Sequence, residues 1–150
     1  MIMNCPECGA PDNLCQTRFD EFLALEFTDS GYGAVHNLTV ATFMVQHSSR
    51  MSREGWLYER DLLREFIVEK KSPSLIRQQV KDSVDSGKRK FSFKSKDGVP
   101  VIKKSTWQKT ILDVHVENAD LYCEDIKAWA QSVLEDAMEI NLGRTNHEGR

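Results

Sequence analysis

Apolar residues recur at three- and four-residue spacing along most of the chain, a period that predicts helices. TRFDEFLALEF places Phe19, Phe22, Leu23, Leu25, Glu26 and Phe27 on a helix of about a dozen residues. TDSGYG then breaks it, because two glycines and an Asp-Ser pair favour a turn. AVHNLTVATFMVQH resumes the pattern at Val35, Leu38, Phe43 and Met44 and reads as a second helix, with a strand left as the alternative by its β-branched content. The short connection makes these two helices antiparallel neighbours.

Ser52 is placed to cap a third helix that buries Trp56, Leu62, Leu63, Phe66 and Ile67. In KKSPSLIRQQVKDSVDSG, Ser72 as N-cap, Pro73 at the first helical position and Gly87 past the end bracket a fourth, with Leu75, Ile76, Val80 and Val84 as its apolar positions. The period then changes. Phe91 and Phe93 alternate with polar residues, Asp97-Gly98 suits a turn, and Val99 to Ile102 resume, which predicts a two-stranded hairpin over 88–104 with Pro100 on an edge. Thr110 and Asp113 have the spacing of a capping box. From about Ala119 the chain predicts its longest helix, because Tyr122, Ile126, Trp129, Val133, Ala137 and Ile140 keep the helical spacing until Gly143. Residues 144–150 read as a flexible tail, so His147 carries no weight.

Composition places this pattern in one domain, residues 1–143, since 150 residues at 40% hydrophobic and 29% charged suffice for a real core. MIMNCPEC lacks the basic start and apolar run of a signal peptide, and no apolar stretch nears the length that spans a bilayer, so a cytoplasmic, non-membrane protein is expected. The net charge of −3 hides a division. Residues 1–69 carry −6, residues 70–109 carry +9 and residues 110–150 carry −6.

In a reducing compartment, Cys5-x-x-Cys8-Gly9 points to metal before disulfide. Two thiolates on a tight turn face one ion, and the glycine after them permits the left-handed backbone that such a turn needs. Cys15, at the start of the first helix, is near enough to join them, which makes residues 1–15 a zinc knuckle. The plain alternative is ordinary thiols. A redox pair of the thioredoxin kind lacks its preceding strand. Structural zinc takes four ligands, and the antiparallel helices choose among the candidates. The end of the second helix returns to the start of the first, which brings His47 to Cys15 and leaves His36 about 16 Å away along the axis. His47 therefore completes a Cys3His set, with Cys123 as runner-up and His36 as a further alternative.

A second, catalytic metal site would draw on His36, Glu26 and His115, but no spacing such as His-Glu-x-x-His ties them together. Catalytic residues are not identifiable. Nucleophile elbows, phosphate loops and dinucleotide fingerprints are missing from the sequence. The basic block is the remaining signal: Lys88, Arg89, Lys90, Lys94, Lys96, Lys103, Lys104 and Lys109, interleaved with Phe91, Phe93 and Trp107, suit phosphate contact with base stacking. The plain alternative is a solvated edge hairpin whose lysines discourage pairing, or one attracting acidic parts of its own chain or of a partner copy.

CPECGAP, FDEFLALEF and GAVHNLTVATFMVQH, followed by Trp56, TILDVH and IKAWAQSVLED, resemble a family of small bacterial proteins of unknown function. The resemblance runs from the cysteines to the last helix, implies a mostly helical domain and supplies no activity. Members typically carry a proline after the residue matching His47; here Ser48 stands there.

The expectation is a mostly α protein: a helical bundle with an N-terminal zinc knuckle and a small basic β-hairpin before the long C-terminal helix. Its expected role is a zinc-stabilised binding module for a protein or nucleic-acid partner through Lys88, Arg89, Lys90, Lys94 and Trp107, with a homodimer allowed. A metal-dependent enzyme is the alternative.

Overall fold

The computed structural model describes residues 4–86, 92–104 and 106–140. Six helices run through them: α1 (Leu14–Thr28), α2 (Ser30–Gly33), α3 (His36–Gln46), α4 (Arg53–Ile67), α5 (Pro73–Ser86) and α6 (Ala119–Met138). Helix α3 lies at the centre, packed on α4 and α6, while α1 covers it from the N-terminal side and α5 rests against α3 and α4. The α6 stripe is fully buried at Tyr122, Ile126, Trp129, Val133 and Ala137, where it meets Phe22, Phe43 and Trp56 in one core. Each such aromatic or aliphatic side chain removed from water stabilises the fold by roughly 1.5–3 kcal/mol.

Local signals explain most boundaries. Ser52 Oγ accepts the Gly55 N–H at 2.9 Å to start α4, Ser72 Oγ accepts the Leu75 N–H at 3.1 Å to start α5, and Asn118 caps α6. The Thr110–Asp113 capping box is present in full around a 3₁₀ turn, Ile111–Asp113. Three features depart from the sequence pattern. TDSGYG contains a short helix, α2, because the Asp29 carboxylate accepts the Gly31 N–H and starts a turn in place of a break. Phe27 is 92% exposed, on the outward side of α1. On α5 only Ile76 is fully buried, with Leu75 and Val84 exposed, since the helix touches the bundle along a narrow line.

The expected β-hairpin is absent from the described part of 88–104, residues 92–104. Among the described residues of 92–104 the single β pairing is a bridge between Met51 and Lys94, made by the Ser52 N–H to the Phe93 carbonyl (2.7 Å) and the Ser95 N–H to the Arg50 carbonyl (3.2 Å). The ladder bonds that a hairpin would need are taken by the segment before α4, and Pro100 has no N–H to offer. Gly55 makes this possible. A Cβ there would stand 2.9 Å from the Phe93 carbonyl oxygen. Beyond Pro100 the Ile102 N–H donates to the buried Ser48 Oγ at 3.2 Å. A proline at position 48 would offer no such acceptor. Gly87, Lys88, Arg89, Lys90, Phe91, Gly143 and the tail lie outside the described residues. No helix among the described residues is long and apolar enough to cross a membrane.

Candidate metal centre

The knuckle is a turn closed by its own backbone. The Gly9 N–H donates to the Cys5 carbonyl and the Cys5 N–H to the Ala10 carbonyl, each at 2.9 Å, and Gly9 takes the left-handed φ of 86°. The Ala10 N–H donates to Cys8 Sγ at 3.4 Å. Pro11–Asn13 forms a 3₁₀ turn that delivers the chain into α1, where Cys15 occupies the first turn.

Helices α1 and α3 then run antiparallel, as three side-chain pairs show. Glu26 bonds His36 at one end, Phe19 stacks on Phe43 in the middle (4.1 Å between centroids), and Cys15 meets His47 at the other. The result is a group of four: Cys5, Cys8, Cys15 and His47, all buried, with ligand atoms all within 4.8 Å of one another. This is the Cys3His set expected from the sequence.

His47 is held from several sides. It follows the last residue of α3, where helix carbonyls lack intrahelical partners. Its own N–H donates to the Met44 carbonyl (3.1 Å), its ring Nδ1–H to the Phe43 carbonyl (2.7 Å), and the Trp56 indole N–H to the Val45 carbonyl (3.0 Å). Gln46 beside it accepts from the Trp129 indole (3.2 Å) and donates to the Lys109 carbonyl (2.8 Å). The Phe43 ring lies against the imidazole, 4.0 Å between centroids. With Nδ1 committed to a carbonyl, Nε2 is the bare acceptor, and it is buried without a hydrogen-bond partner. Such a second-nitrogen bond is the usual way a metal-ligating imidazole is oriented.

The electrostatics fit a site for a cation. Burial pushes the Cys8 thiol well above its usual range; burial, aided by the Cys5 charge, raises Cys15; and burial lowers His47. For Cys5, burial also raises the thiol, but hydrogen bonds from the backbone at Cys8 and Glu7 outweigh it and the net shift is downward. Three sulfurs and an unpaired ring nitrogen in a dry site fit a divalent metal, which would supply the charge that burial withholds.

Outside the cluster, the knuckle is tied down by side chains the sequence reading had not connected with it. Trp107, read as a base-stacking candidate, is 8% exposed and donates its indole N–H to the Glu7 carbonyl at 2.8 Å, with the Lys104 ammonium over its ring. The Ser49 N–H and hydroxyl both donate to the Glu7 carboxylate, at 2.8 and 2.6 Å. No spacing rule links residues 7, 49 and 107.

The alternative ligands lie elsewhere. His36 Nδ1 bonds Glu26 at 2.8 Å at the far end of α3, Cys123 Sγ donates to the Gly31 carbonyl, and His115 pairs with Asp125 at 2.7 Å. Among the described residues no other group of three or more His, Cys, Asp or Glu side chains meets as the four do. Lys94 is exposed, while Lys88, Arg89 and Lys90 lie outside the described residues.

A model of a family of unknown function (DUF5946) matches residues 3–138. The match begins just before Cys5 and ends at the last residue of α6. No curated protein and no solved structure matches the chain.

Proposed function

The chain belongs to this family of unknown function (DUF5946), and from that premise we propose that it is a binding module whose fold is fastened by one structural zinc ion. The observation that carries the reading is the bare, buried Nε2 of His47 facing three buried cysteines. Thiolate with imidazole is the donor set of structural zinc, and four protein ligands leave no open position for a substrate or an activated water. The ion would hold the N-terminal turn against the helix pair. The basic stretch is bound to the same corner, Ile102 at the Ser48 hydroxyl and Trp107 at the Glu7 carbonyl, and is the surface offered to a partner.

Elemental analysis of the purified protein tests this. One equivalent of zinc per chain is expected, lost in Cys8→Ser and kept in His36→Ala and Cys123→Ser. A folded wild-type protein without metal would overturn the reading, and a second equivalent lost with His36→Ala would favour an enzyme.

A further inference from the structure

The Met51–Lys94 bridge leaves one edge open. Its two hydrogen bonds are made by the neighbours of the paired residues, and in that antiparallel arrangement the paired residues turn their own N–H and C=O outward. Lys94 is exposed, and its backbone N–H and C=O have no hydrogen-bond partner among the described residues.

A groove of about 650 Å³ runs beside this edge, with Met51 and Ser52 on one wall and Val99 and Pro100 on the other. Val99 is 59% exposed. Lys94 and Lys96 also line the groove and make no ion pair among the described residues. The acids there are Asp97, whose Oδ1 is bonded to Val99 N–H and the Ser95 hydroxyl, and Glu54, in the first turn of α4. Across the lining, Arg53, Lys94 and Lys96 stand against Glu54 and Asp97, so cations outnumber acids three to two.

Edge, groove and cations together select an occupant. A single-stranded nucleic acid needs aromatic faces on which to stack. Among the described residues, Trp107 is buried under Lys104, and Phe93 packs edge-on against Tyr58 at 5.1 Å. An extended peptide, by contrast, uses what is present: backbone groups for the edge, apolar side chains for Val99 and Pro100, and carboxylates for the lysines. We propose that the groove beside Lys94 docks an extended acidic peptide segment of a partner protein, which adds to the open edge as a strand. The proposal rests on the reading of the chain as a zinc-fastened binding module and names the partner's chemistry.

Fluorescence anisotropy on the metal-loaded protein at low salt tests it, with a labelled twelve-residue peptide alternating Glu and Val as probe. Saturable binding is expected, weakened at least about tenfold by Lys94→Glu with Lys96→Glu and by N-methylation of alternate peptide amides, which blocks strand pairing while keeping the charge. A Lys-Val peptide should not bind. The inference is overturned if the acidic peptide fails to bind, if N-methylation changes nothing, or if oligothymidylate of similar length binds more tightly. Zinc content and helical circular dichroism are read on the same samples. A metal-free wild type tells against the structural centre, whereas a zinc-loaded, folded protein that ignores the peptide tells against this inference alone.

Discussion

Helix α3 carries one histidine at each end, and the two ends have opposite characters. At the C-terminal end His47 is 2% exposed, surrounded by three cysteines, with one ring nitrogen bonded to a carbonyl and the other bare. At the N-terminal end His36 has a side chain 45% exposed and meets a single carboxylate, Glu26. The helix is the same; the difference lies in what the rest of the chain brings to each end. Around His47 the knuckle, α1, Trp56 and Trp129 converge, so a polar nitrogen there stays dry. Around His36 the chain passes from α1 through the short α2 into α3, and the imidazole stays half exposed. A histidine acquires a ligand's role from the company assembled around it, not from its place on a helix face.

The sharpest way to break this contrast is to remove each imidazole in turn from the metal-loaded protein. His47→Ala should lower the melting temperature by about 10 °C or more, because a structural metal's binding energy is largely folding energy. His36→Ala should change it by about 1 °C, the effect of one half-exposed side-chain contact with Glu26. Equal losses in calorimetry would erase the distinction.

That His47 rather than His36 joins the cysteines was legible in the sequence, because an antiparallel pair with a helical rise fixes which ends meet. The capping box at Thr110 and the α6 stripe were legible for the same reason, each being a local pattern. The hairpin was misread because Phe93 and Ile102 find their partners at Ser52 and Ser48, some forty and fifty positions back in the chain. Alternation along a short segment shows its two faces and is silent on which neighbour takes its hydrogen bonds. The burial of Trp107 against Glu7 is likewise a tertiary fact.

A smaller change sharpens the picture of the closed end. Trp107→Phe keeps a six-membered aromatic ring but deletes the five-membered ring whose N–H the Glu7 carbonyl accepts, so stability should fall by at least about 1 kcal/mol, or roughly 2–4 °C. Zinc should also pass to a chelator faster than from the wild type, measured with a colorimetric indicator. Unaltered release would mean that the metal alone holds the knuckle.

The smallest effect concerns an open pair, His115 with Asp125. The hydrogen bond to Asp125 raises the His115 imidazole above its ordinary 6.5, while the His115 backbone N–H, then its ring, hold Asp125 below 3.8. The imidazole's contribution is therefore complete below pH 6.5 and lost as pH rises through its raised value. The carboxylate's share is present above pH 3.8 and lost as pH falls through its lowered value. The melting difference between wild type and His115→Ala should accordingly be larger near pH 5.5 than near pH 8.5, and a difference that grows with pH would refute the pairing.

The cluster also bears on how the chain finds its fold. Cys15 and His47 bracket α1, α2 and α3, so their joining closes a loop on the order of 30 residues, and Cys5 extends it. In an unfolded chain that already holds zinc, the entropy of that closure is spent before any helix packs, and Phe19 searches for Phe43 within a tethered segment. Refolding from denaturant with zinc present should then be faster than without it, with the ion acting on the path to the structure as much as on the structure itself.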